Sequence, residues 1–198
     1  MFYRENGQFK TSYRADQQIF PIAQDRVAIF AVLVLAFVVV PMLATDYVFQ
    51  AMLIPFVIMA LGALGLNILV GYCGQISLGT GAFMAVGAYA AFNLQARFDG
   101  MPLLLALLGG GLIAMVFGMV FGLPSLRIRG LYLAVATLAA QFFMDWLTSR
   151  AAWVTNHSSS GSVSAGQLSI AGWQIDTPME KYLLCLAILC LIALAAKN

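Results

Sequence analysis

The chain has 198 residues, 62% of them hydrophobic and 9% charged, and a formal net charge of +2. Soluble domains hold about 45–50% apolar and about 25% charged residues, so this composition excludes a water-soluble globule. The small net charge also excludes nucleic-acid capture by a positive field.

Residues 1–26 mix Arg4, Lys10 and Arg14 with Glu5, Asp16 and Asp25. The apolar segment that follows lacks a clear small-residue cleavage site, so the segment reads as a solvated tail rather than a signal peptide. From Val27 onward the hydrophobic pattern predicts an all-α, polytopic transmembrane bundle over 27–198 with about six spans. They lie near 27–45, 47–69, 78–96, 102–123, 130–149 and 182–196. Pro41 falls near the end of the first span and Pro55 inside the second. Membrane helices tolerate proline where neighbours or waters compensate for the lost hydrogen bond.

Fifty residues between Asp46 and Arg97 contain no Asp, Glu, Lys, Arg or His. A bilayer core takes about 20 apolar helical residues to cross, so this run fits two crossings with a short break between them. The break is polar but uncharged and holds Gly71, Gly74, Gln75 and Ser77. It is either a tight turn at one membrane face or a broken helix facing a pathway, since lipid does not accept irregular backbone. Two small-residue patterns predict close helix packing. Gly79, Gly81, Ala85, Gly87 and Ala91 crowd the third span. Ala114, Gly118 and Gly122 repeat every four residues on the fourth.

Residues 150–181 form a long polar segment with Asn156, His157, Ser158, Ser159, Ser160, Gly161 and Gly166, the chemistry of a surface loop. Seven basic residues (Arg4, Lys10, Arg14, Arg26, Arg127, Arg129 and Lys197) collect on one side of the predicted topology. Three (Arg97, Arg150 and Lys181) collect on the other. The excess places the 1–26 tail in the cytoplasm and the 150–181 loop outside. Trp146, Trp153 and Trp173 gather toward that outer face, as interfacial aromatics do.

Nothing in the chain reads as an enzyme or as a cofactor site. No acid pair sits at membrane depth, and no phosphate-cradling loop ends in Lys-Ser or Lys-Thr. His157 reads as solvated, and Asp145 as a hydrated interfacial carboxylate rather than a coupling group. Cys73, Cys185 and Cys190 lack metal spacing and read as small apolar residues. The remaining chemistry is neutral: Asn67, Gln75, Ser77 and Thr80 either line a passage for a small polar solute or cap and cross-link helix ends.

Two stretches carry a resemblance. The run from Gly65 through Asn67, Gly71, Gly74-Gln75-Ile76-Ser77-Leu78-Gly79 and Gly81-Ala82-Phe83 to Gly87-Ala88-Tyr89 resembles the permease subunits of branched-chain amino acid ABC importers. The segment Leu123-Pro124-Ser125-Leu126-Arg127-Ile128-Arg129-Gly130-Leu131-Tyr132-Leu133-Ala134, followed by Thr137-Leu138, is similar to a second stretch of that family, in the same order. The resemblance implies a bacterial inner-membrane permease that forms the pathway with a related permease. Two cytoplasmic ATPase subunits would drive it, and a periplasmic binding protein would deliver the solute. Such permeases continue with further spans, so the chain is expected to be truncated at its C-terminus. Family solutes include leucine, isoleucine and valine, other amino acids, urea, amides and aromatic acids. A self-contained six-helix channel or facilitator, needing no ATPase, is the competing expectation.

Overall fold

The computed structural model describes residues 12, 23–98, 100–125, 131–158, 163, 168–170 and 173–197. Arg4, Lys10, Arg14, Arg127 and Arg129, which weigh most in the predicted orientation, lie outside the described residues, as do Ser159, Ser160, Gly161 and Gly166.

The chain divides into two compact units, Met1–Thr45 and Asp46–Asn198. The first contains α1, which runs through Ala23–Val34, a π-turn at Leu35–Val39, and Val40–Leu43. Val27, Phe30, Val32 and Met42 are all exposed in it. A helix that is apolar on every side and uncovered is suited to lipid. The second unit opens with α2, built of Asp46–Val48, a π-turn at Phe49–Leu53, and Ile54–Cys73. Then follow α3 (Thr80–Arg97), α4 (Leu103–Ser125), α5 (Leu131–Arg150), strands β1 (Leu168–Ile170) and β2 (Trp173–Ile175), and α6 (Pro178–Lys197).

Pro41 and Pro55 are accommodated in the same way. The residue just before each one reaches back five positions: Val40 N–H donates to Leu35 O ahead of Pro41, and Ile54 N–H donates to Phe49 O ahead of Pro55. Proline lacks the N–H and its ring presses on the carbonyl four residues back. One widened turn relieves that crowding while the rest of the ladder closes.

The six predicted spans are all helical. Four of the helices, α1, α2, α4 and α6, are long and apolar enough to cross a membrane by themselves. The other two are diluted by polar residues, Asn93, Gln95 and Arg97 in α3 and Thr137, Gln141 and Asp145 in α5. The last helix starts four residues earlier than expected, at Pro178. Thr177 and Glu180 form a reciprocal cap there: Glu180 N–H donates to Thr177 Oγ1 and Thr177 N–H to Glu180 Oε2, both at 3.3 Å. Thr-Pro-Met-Glu is a capping box with proline at the first helical position. The 150–181 segment departs from a plain loop in a second respect. β1 and β2 pair antiparallel, Leu168 opposite Ile175 and Ile170 opposite Trp173.

Within the second unit the core lies between α3, α4 and α5. Ala82 and Val86 of α3 and Met144 of α5 are buried together, with Ala114, Phe117 and Leu147 against them. The α3–α4 crossing is very close. A Cβ placed on Gly110 would stand 2.6 Å from Gly87 O and 2.9 Å from Ala91 Cβ. Among α2 and α6, Phe49 and Tyr182 meet ring to ring at 5.5 Å.

Candidate functional site

The break in the uncharged run begins at Gly74. This residue takes φ +63° and its N–H closes the last turn of α2 on Val70 O at 3.0 Å. Only glycine adopts that left-handed geometry without strain. Residues 75–79 then run as irregular backbone until α3 starts at Thr80.

The irregular segment is seated on α5. Leu78 N–H donates to Thr137 Oγ1 at 2.9 Å, and the same hydroxyl donates to Ala134 O at 2.9 Å. Thr137 therefore uses its side chain as both acceptor and donor, which satisfies one strand of backbone and one turn of helix. Gly79 lies flat on the same turn: a Cβ there would stand 2.6 Å from Thr137 O. Its N–H donates to Ser77 Oγ at 3.3 Å. At the second residue of α3, Gly81 faces the Gln141 amide, which a Cβ would meet at 2.8 Å. Among the described residues the backbone N–H groups of Gln75, Ile76 and Ser77 find no protein partner. Backbone amides without a protein partner need water or a solute.

They have room for one. A cavity of about 540 Å³ opens beside the break. Gln75, Ile76 and Ser77 form one wall. Phe83, Ala114, Gly118, Phe121 and Gly122 contribute from α3 and α4, and Leu133, Ala136, Thr137 and Ala140 from α5. Among the described residues the lining is apolar except for Gln75, Ser77 and Thr137, and none of them is ionisable. Ser77 is 8% exposed. Such a space can hold a small, largely apolar solute and hydrogen-bond it without a fixed charge.

The predicted quartet thus divides. Gln75 and Ser77 line the cavity, whereas Thr80 sits half-buried at the start of α3 and does not. Asn67 is exposed on α2, away from the cavity lining. The predicted packing face on α4 divides as well. Ala114 stands against the core, and Gly87's position would bring a Cβ to 3.6 Å from Ala114 Cβ. Gly118 would meet only Phe83 Cε1, at 3.9 Å, and Gly122 nothing within 4 Å. In this chain those two glycines leave space rather than close it; the tight crossing is at Gly110.

Sequence reasoning did not single out Gly110 or assign Thr137 a site role. A signal existed for each. Gly109-Gly110-Gly111 is a triple glycine in a span whose neighbour carries Gly87 and Ala91. Thr137 is the sole hydroxyl besides Tyr132 in the otherwise aliphatic stretch 131–140.

A second polar cluster ties the 151–158 turn to the far end of α3. Asn93 Nδ2 donates to Tyr89 O and to Val154 O, each at 2.8 Å. Arg97 Nη2 donates to Trp153 O at 3.0 Å, and its guanidinium lies 4.0 Å from the Trp153 ring centroid. The turn itself carries two left-handed residues, Asn156 and His157.

The family model described as branched-chain amino acid transport system / permease component matches residues 48–197. Two curated proteins are similar over a shorter stretch. The high-affinity branched-chain amino acid transport system permease protein LivM of Escherichia coli (strain K12) is 45% identical over 75 residues, 38% of this chain and 17% of that protein. Its namesake from Salmonella typhimurium (strain LT2) is 44% identical over 75 residues, the same shares of each. The match thus spans about a sixth of the length of these relatives. No solved structure matches the chain.

Proposed function

Because the chain belongs to the branched-chain amino acid transport permease family, a family of multi-pass membrane proteins, we propose that it forms part of the translocation pathway of an ATP-driven importer for branched-chain or related amino acids. The partners in this reading are a related permease, two cytoplasmic ATPase subunits that hydrolyse the ATP, and a periplasmic solute-binding protein. The membrane is the bacterial inner membrane, with the 1–26 tail inside and the 150–181 loop outside. The observation that carries the reading is the cavity beside the interrupted helix, whose described lining is neutral and apolar except for Gln75, Ser77 and Thr137. A transported solute must be held weakly enough to leave, and neutral walls allow that.

The roles of the polar residues follow from their placement. Gln75 and Ser77 contact the solute. Thr80 supports the start of α3. Asn67 faces the partner permease, because an amide exposed at membrane depth needs a hydrogen-bonding neighbour.

The test is uptake in vesicles that hold the protein with its partner permease, ATPases and binding protein. Gln75→Leu should lower ATP-driven uptake by roughly tenfold, the value of one charge-free hydrogen bond with its desolvation, while assembly is unchanged. Asn67→Leu should instead lower the amount of assembled complex. Unchanged uptake with Gln75→Leu would remove the cavity from the pathway. Equal uptake with the ATPases omitted would favour a self-contained facilitator. Ser159→Cys should react with an impermeant thiol reagent from outside intact cells; reaction only after lysis would reverse the topology.

A further inference from the structure

Resting on the reading of the cavity as pathway, we propose that Thr137 is the positioning residue that holds the 74–79 break against α5 and thereby fixes the polar wall of the passage. The geometry is specific. Apart from the bonds that join its ends to α2 and α3, the break has one backbone hydrogen bond to another helix among the described residues, Leu78 N–H to Thr137 Oγ1. It lies between Gln75 and Ser77 on one side and the start of α3 on the other. The Thr137 hydroxyl is oriented for this role by its own donation to Ala134 O, which turns a lone pair toward Leu78. Gly79 allows the close approach, because any side chain there would press on the Thr137 carbonyl. Clasp and close contact act at the same helical turn. Removing the acceptor, or adding a methyl group at Gly79, should lift the same segment from opposite causes.

Thr137 also lines the cavity itself, so its methyl group must be kept apart from its hydroxyl in the test. Thr137→Val keeps shape and removes the acceptor. Thr137→Ser keeps the acceptor and removes the methyl. The readout is backbone amide exchange by mass spectrometry on the assembled transporter in lipid, followed for peptides covering 74–83 and, as an internal reference, 103–115. Thr137→Val should speed exchange in 74–83 by roughly tenfold, as loss of one hydrogen bond in a local opening does, with 103–115 unchanged. Thr137→Ser should match the parent. Gly79→Ala should reproduce the valine effect and serves where the valine variant does not assemble. Uptake should fall with Thr137→Val and Gly79→Ala and be retained with Thr137→Ser.

Exchange in 74–83 that is indifferent to both Thr137→Val and Gly79→Ala overturns the clasp. Faster exchange with undiminished uptake shows that the clasp does not shape the passage and overturns the functional half of the proposal. These results are separable from failure of the pathway reading. That failure is registered by Gln75→Leu, which leaves the clasp intact.

Discussion

Helices α3 and α4 meet twice, and the two meetings are opposites. Where Gly110 faces Gly87 and Ala91 the backbones touch, with no space for a methyl group on Gly110. About two turns further along α4, the pair is held apart by rings. Phe83 stands 6.3 Å from Phe117, and Phe117 stands 4.5 Å from Phe121. Glycine appears at both places with contrary effects. Against small residues, Gly110 lets the helices close. Beside phenylalanines that already set the spacing, Gly118 and Gly122 leave a void, and the void becomes the cavity. A glycine's role is thus decided by the volume of what faces it, not by the glycine.

The largest test of this contrast is Gly110→Ala. The added Cβ meets a backbone oxygen, which cannot swing aside as a flexible side chain could. It should cost about 1–3 kcal/mol, visible as a lower thermal midpoint of the purified protein in detergent. A midpoint equal to the parent would mean that the helices are not in backbone contact.

The closed end is also pinned by the 151–158 turn. Asn93→Leu removes the bonds to Tyr89 O and Val154 O, yet also removes a buried Oδ1 that has no partner. The net cost should be about 1 kcal/mol, with faster amide exchange in the turn. Arg97→Ala should cost about 0.5–1 kcal/mol, the value of an exposed cation–π contact. Its measurable mark is a change in Trp153 emission, read in a background lacking the other tryptophans.

The smallest expected effect is at the open end. Gly118→Ala should change stability by less than about 0.5 kcal/mol, since its Cβ would make only an ordinary contact with Phe83. Gly118→Leu should assemble and still obstruct uptake by filling the cavity. A large loss of folded protein with Gly118→Ala would show that α4 is closed along its whole length.

Much of this was legible in advance. The uncharged run from Tyr47 to Ala96 required two helices and a break, because lipid offers no partner for irregular backbone. The break was expected from Gly71, after a span ending near 69, whereas the helix runs on to Cys73 and the break begins at Gly74. The Thr177–Glu180 capping box stood in the chain, although hydropathy alone placed the start of α6 four residues late. The cavity was only half legible. Gln75 and Ser77 were visible as polar residues near a break, but Asn67 and Thr80 look the same in sequence and lie off the cavity.

What the sequence by itself determined is local or compositional: the membrane as solvent, the helices, the prolines that need a widened turn, and the neutral character of the break. Each follows from one segment and its medium. What the tertiary structure decided is which neighbours those segments meet. It placed Thr137 under Leu78, separated by 59 positions in the chain, and it set Gly110 against Gly87 while setting Gly118 beside Phe83. Such pairings depend on the rotation and crossing of whole helices. Small and aromatic residues are mixed on the same span, so the spacing that results is a property of facing surfaces that no single segment contains.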